Sequence, residues 1–216
     1  MARISKVDIT FASLLTLLML ILSNLPYMVG YFVQGESDNF SGAIVDREDY
    51  AVHLAALQAG SRGEWSYQSK FTSEEIEGVY IKLTYILLGH LAAWLGIGCE
   101  SFYHILRNST FIFLCVVVYC VCVQVFQELP HRLLAFWITI CGSGLGWFQS
   151  IVGILPNQQI SPVDFWLTDG YLLFGSMVFP HFSISSIVLV GTFGLTLHLQ
   201  NGSKPWIWIS FAFLFL

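Results

Sequence analysis

The sequence is short of charge. Only 11% of its 216 residues are Asp, Glu, Lys or Arg, against roughly 25% in a soluble domain. That leaves too little polar surface to cover a water-soluble globule. It also excludes a disordered chain, which combines low hydrophobicity with high charge. Positive charge is the scarcer sign: 9 Lys and Arg stand against 14 Asp and Glu, for a net charge of −5. A nucleic-acid binder needs a basic face, so nucleic acid is not an expected partner. Cysteine is sparse as well. Cys99, Cys115, Cys120, Cys122 and Cys141 contain no CxxC pair, so neither a zinc site nor a disulfide framework is legible. What the chain has in plenty is apolar surface: 56% hydrophobic residues, 16% aromatic, and a mean hydropathy of +0.69. These features predict an all-α, polytopic transmembrane protein.

A helix crossing the hydrocarbon core needs about 20 apolar residues. The runs at about 7–33, 76–97, 102–126, 133–155 and 179–199 are read as spans of a single transmembrane domain. The first follows Arg3 and Lys6, which predicts a cytoplasmic amino terminus. It has no small-residue cleavage site after it and reads as an uncleaved span. Pro26 is expected to end or kink it. A sixth run, 205–216, has the length of about half a span, so a carboxy-terminally truncated fragment is expected. Counting spans places segment 156–178 on the cytoplasmic side unless span three or four is re-entrant or split.

The loop 34–78 holds nine of the 14 acids and three of the nine bases. An acidic loop of this length fits the non-cytoplasmic face, and long loops are often functional. Residues 50–59 have helical composition with an apolar side supplied by Val52, Leu54, Ala55 and Leu57. Gly60-Ser61-Arg62-Gly63 is a stop signal, so a short surface helix is expected. Phe71-Thr72-Ser73-Glu74-Glu75 reads as the start of the second span, with Thr72 or Ser73 as its cap. The densest charge is Asp46-Arg47-Glu48-Asp49-Tyr50. Its three carboxylates repel one another unless water, a cation or a substrate relieves them. It reads either as a solvated acidic turn or as a carboxylate held over the membrane as a general base or metal ligand.

The order of a first span, Asp46-Arg47-Glu48-Asp49-Tyr50-Ala51, a short helix, Gly60-Ser61-Arg62-Gly63-Glu64-Trp65 and a second span resembles the amino-terminal part of the GT-C superfamily. These are polytopic glycosyltransferases that include protein O-mannosyltransferases and lipid A aminoarabinose transferases. The resemblance covers about residues 7–97. In bacterial members a run like Asp-Glu-x-x-Tyr-Ala precedes a Gly-Asp-Trp-like turn. Asp46, Tyr50-Ala51 and Trp65 match those positions, whereas Arg47 stands where many members have Glu. The 71–75 segment stands where they often carry a Lys-Pro-Pro or His-Pro-Pro motif. The resemblance implies an enzyme of the bacterial plasma membrane that takes a lipid-linked sugar donor, a polyprenyl phosphate, from the outer leaflet. A loop carboxylate deprotonates an acceptor hydroxyl, which displaces the lipid phosphate with inversion. Asp46 is the candidate base and Asp49 the second. Arg47, Arg62 and Lys70 are candidate phosphate partners, beside a divalent cation that carboxylates could hold. Tyr50 and His53 share the short helix and are candidate substrate contacts.

Outside that region, Asp164 and Asp169 read as turn and cap residues or as partners of the loop acids. Asp169 and His181 are carried as substrate-binding candidates. Lys82 reads as a snorkelling residue in the second span, His90 as a hydrogen-bonded packing histidine, and Arg107 as a cytoplasmic helix end. Gly142 and Gly146 form a GxxxG pair, read as close helix packing or as a broken helix lining a cavity. Lys82, His90 and these glycines would serve the alternative function, a transporter or channel subunit. A non-catalytic assembly factor is a third possibility, in which the acidic cluster is incidental.

Overall fold

A computed structural model describes residues 4–35, 39–74, 76–146, 148 and 162–200. Among these, the regular structure is helical. The helices are α1 (Lys6–Val33), α2 (Arg47–Ser61), α3 (Leu83–Leu95), α4 (Cys99–Val125), α5 (Leu129–Cys141), α6 (Leu172–Val178) and α7 (Pro180–Gln200). Two 3-10 turns, Val163–Phe165 and Thr168–Gly170, precede α6. Three helices, α1, α4 and α7, are long and apolar enough to cross a membrane, which fits an integral membrane protein. They match the first, third and fifth runs of the sequence to within a few residues. The helices α3 and α5 have 13 residues each. At 1.5 Å per residue that is about 20 Å, short of a hydrocarbon core of about 30 Å. The sixth run lies outside the described residues, as does most of the second half of the fourth.

Contacts divide the chain into two compact units, Met1–Asn24 with Asn108–Leu216, and Leu25–Arg107. The boundaries fall inside α1 and α4. In the first unit a capping box starts α1. The Ser5 hydroxyl accepts from the Asp8 backbone N–H at 3.2 Å, and the Asp8 carboxylate accepts from the Ser5 N–H at 2.8 Å, satisfying donors that a helix start leaves open. Asp8 is then buried, and accepts from Tyr119 Oη at 2.5 Å and Arg132 Nη1 at 3.2 Å. Arg132, also buried, donates its remaining nitrogens to the carbonyls of Phe126 and Gln127, at 2.8 and 2.6 Å. Those carbonyls follow the end of α4, where helical donors run out.

These contacts set the directions of the helices. Asp8 meets Tyr119, and the Asn24 and Asn108 side-chain amides pair reciprocally at 3.0 and 3.2 Å. Therefore α1 and α4 are antiparallel. Arg132 meets Asp8, and Cys141 Sγ lies 3.5 Å from Met19 Sδ, so α5 runs parallel to α1. A methyl group on Gly191 would sit 3.8 Å from Val117 Cγ1, and one on Gly194 would sit 2.5 Å from Val121 Cγ2, so α7 runs parallel to α4. The order is up, down, up, down. The core between them is Leu15 and Met19 of α1, Phe111, Leu114 and Val118 of α4, and Phe136 and Ile140 of α5.

The fourth run departs from expectation. The helix stops at Cys141, and residues 142–145 are non-helical. The Gly146 N–H donates to Asp164 Oδ2 at 3.0 Å, and a methyl group on Gly144 would lie 2.8 Å from Asp164 Cβ. These glycines therefore let the backbone close around a carboxylate, which corrects the helix-packing reading of Gly142 and Gly146 in favour of a broken helix. Pro26 does not end α1, which continues to Val33.

In the second unit α2 and α3 pack with their backbones in close approach. A methyl group on Gly60 would collide with the Ile86 carbonyl, and one on Gly89 with the Leu57 carbonyl. Ala56, Leu57, Ile86 and Ala92 are fully buried. The second run starts its helix later than the sequence predicts. Neither Thr72 nor Ser73 caps a helix: residues 71–74 are bends and irregular chain, with the Thr72 hydroxyl accepting from the Glu74 N–H at 3.1 Å, and the chain on either side of them is bridged. Tyr67 and Val79 exchange backbone hydrogen bonds at 2.8 and 3.0 Å, and Gln68 donates to the Ile76 carbonyl at 3.0 Å. Lys82 then enters α3 in the left-handed region, φ +53°, as its N-cap rather than within a span.

Candidate functional site

The acidic cluster forms the start of α2. Asp46 is the N-cap residue, Arg47 opens the helix, and Glu48 and Asp49 fill its first turn, where the positive end of the helix dipole favours carboxylates. All four are exposed. Asp46 is unusual for a cap. An N-cap residue ordinarily has extended backbone and accepts a bond from the helix through its side chain. Asp46 instead has φ +47° and ψ +58° and makes no side-chain cap hydrogen bond. Partial burial, and then the negative charges of Asp49 and Glu48, hold its carboxyl above the usual carboxylate range.

Beyond the first turn the helix carries two ring residues inward. Tyr50 is 5% exposed and lies edge-on to Tyr103, centroids 5.0 Å apart. Its hydroxyl is buried with no hydrogen-bond partner among the described residues, beside Gly42, on which a methyl group would approach it to 2.8 Å. Burial pushes this phenol up, as does the charge of Glu100. His53 stacks on Tyr85 at 4.5 Å. The buried face of α2 is Tyr50, His53, Ala56, Leu57, Ala59 and Gly60. The expected apolar set of Val52, Leu54, Ala55 and Leu57 is thereby corrected, Leu57 alone belonging to the buried face. The packing partner α3 selects the small residues because only they allow the helices to touch.

The remaining candidates are dispersed. Arg62 is exposed and paired with Glu64 at 2.8 Å, a surface ion pair of small energetic weight. Lys70 is exposed in the loop before α3. Asp169 is exposed in the second 3-10 turn, and His181, on the first turn of α7, stacks on Phe179 at 5.2 Å and lies tilted against Phe182 at 4.5 Å. Both belong to the first unit, whereas Asp46 to Lys70 belong to the second. Among the described residues, no three His, Cys, Asp or Glu side chains are placed to hold a metal ion.

Two residues, Arg107 and His90, behave differently from their sequence reading, and His104 joins them without one. Arg107 is no helix end: it lies within α4, 1% exposed, with its guanidinium 4.2 Å from the centre of the Tyr27 ring. A cation over an aromatic face is attracted by the ring quadrupole. His90 packs its ring on Trp65 at 4.4 Å, and its Nε2 is buried with no hydrogen-bond partner among the described residues. His104, not singled out by sequence, is surrounded by Tyr27, Tyr103 and Tyr50 at 5.0, 5.8 and 6.5 Å, with neither ring nitrogen hydrogen-bonded to a described residue. The spacing Tyr103-His104-x-x-Arg107 on an apolar helix was the signal available for that cluster. Comparison with protein-family models, curated proteins and solved structures finds nothing that matches this chain.

Proposed function

We propose that the chain is a polytopic membrane glycosyltransferase of the GT-C type, transferring a sugar from a polyprenyl-phosphate donor to an acceptor hydroxyl, with Asp46 as general base. The observation that carries this reading is the conformation of Asp46. A non-glycine residue in the left-handed region costs about 1–2 kcal/mol, less for Asp than for most. The carboxylate does not offset that cost by capping its own helix. It stands at the head of a packed helix, where desolvation first, and then the charges of Asp49 and Glu48, raise its proton affinity, the direction a base requires. In this reading Asp49, one turn on, positions the acceptor. The exposed Arg47 supplies the cation that the developing charge of the phosphate leaving group needs.

In an assay of sugar transfer from a polyprenyl-phosphate donor, Asp46→Asn is expected to lose about 10²–10⁴ in rate while the protein remains folded and membrane-inserted. Asp49→Asn is expected to lose less. Near-normal turnover by Asp46→Asn would remove the base assignment.

The transporter reading rests on a separate observation, the break after α5 where the glycine loop closes on Asp164. Broken helices of this kind line substrate paths. Flux through reconstituted vesicles that is lost in Asp164→Asn but unaffected by Asp46→Asn would favour it over the transferase.

A further inference from the structure

We infer that residues 162–179 lie on the side of the membrane opposite the 126–128 link, at the Asn24–Asn108 end of the first unit. The inference rests on the membrane reading of the chain and is independent of the transferase chemistry. Its basis is the set of helix directions in the first unit. Because α1 and α4 are antiparallel, fixed by Asp8 with Tyr119 at one end and Asn24 with Asn108 at the other, the unit has an Asp8 end and an Asn24–Asn108 end.

These directions fix the later segment. A three-residue link, 126–128, turns α4 into α5 at the Asp8 end. From there α5 rises parallel to α1 and reaches the level of Met19 at Cys141. The far side is then the starting point of α7, because α7 descends in register with α4: Gly191 beside Val117, Gly194 beside Val121. Continued back along both helices, this register brings the start of α7 level with Asn108. The 3-10 turns, α6, the exposed Asp169 carboxylate and His181 are thus at the Asn24–Asn108 end of the unit. Asp164 reaches back from that side to close the glycine loop above α5.

The test is sided cysteine labelling of the full chain, read against the wild-type background of native cysteines. Val163→Cys and Gln127→Cys each place a thiol at an exposed position of the first unit. An impermeant maleimide applied to intact cells is expected to label one of the two and not the other, and permeabilisation should open the second to labelling. Val163→Cys grouping with Gln127→Cys would overturn the inference. Should a thiol resist the reagent, a protease site inserted after the same residue reads its side in sealed vesicles of each orientation, with the same two outcomes. Release of the chain by alkaline carbonate would overturn the membrane reading itself, and would be distinguished from a wrong side by the absence of any sided pattern.

Discussion

Asp46 shows how residue type and residue conformation carry different information. Its charge density is legible in the sequence, because four successive charged residues, 46–49, stand out in a chain with so little charge. Its left-handed backbone is not, since φ depends on how the chain from α1 arrives at α2. The consequence can be measured. A carboxyl whose folded pKa is raised above about 3.9 favours the protonated form in the fold, so the ionised group costs stability as pH rises through the window between the two values. As a base it works only when ionised. Transfer activity is therefore expected to fall on acidification with a midpoint above the ordinary carboxylate range. Asp49→Asn should move that midpoint down by removing a like charge, and a pH–rate profile of the two proteins checks the direction. An unmoved midpoint would detach the titration from this cluster. Arg107 was misread for a related reason. The rule that bases mark cytoplasmic ends applies to loops and helix termini, and only the tertiary structure places the Tyr27 ring beneath its guanidinium.

The helix α2 was expected from composition and its stop signal, and its existence follows from the sequence. Which face it buries does not. Val52 and Leu54 are more hydrophobic than Gly60 and Ala56, yet the small residues face α3, because backbone contact at Gly60 and Gly89 buries more of both helices than bulky side chains would permit. Gly60→Val is accordingly expected to destabilise the α2–α3 pair by about 1–3 kcal/mol, the usual cost of overpacking, whereas Leu54→Ala should cost much less. Thermal unfolding in detergent with limited proteolysis between residues 61 and 82 would rank the two. Equal effects would contradict the close approach. The start of α1 teaches the converse: Ser5-x-x-Asp8 before an apolar run is a capping-box signature, legible from the sequence, and the structure uses it before burying the same Asp8 in a longer-range network.

At the scale of the molecule, the buried Asp8–Arg132 pair links helices 124 residues apart in the chain. Breaking one partner of a buried pair typically costs about 3–5 kcal/mol, because the survivor is left charged and unpaired. Arg132→Met is thus expected to be strongly destabilising, and the double change Asp8→Asn with Arg132→Met less so than Arg132→Met alone. Melting temperatures of the purified protein in detergent check the order, and a double variant worse than the single would show that the pair acts as two independent groups. What the sequence determined by itself is the physical class. Apolar runs of 20 or more residues and an 11% charge content admit long helices and little else, since backbone polar groups in an apolar medium must be satisfied within the segment. It also placed the first, third and fifth runs and the unbroken run of charge at 46–49. The tertiary structure decided which apolar runs are long enough as helices to cross, which way each one points, and where the polar side chains find partners. Hydropathy is summed along the chain and carries no direction. Direction is set by pairwise contacts such as Asp8 with Tyr119 and Gly194 with Val121, between residues far apart in sequence whose meeting no local pattern records.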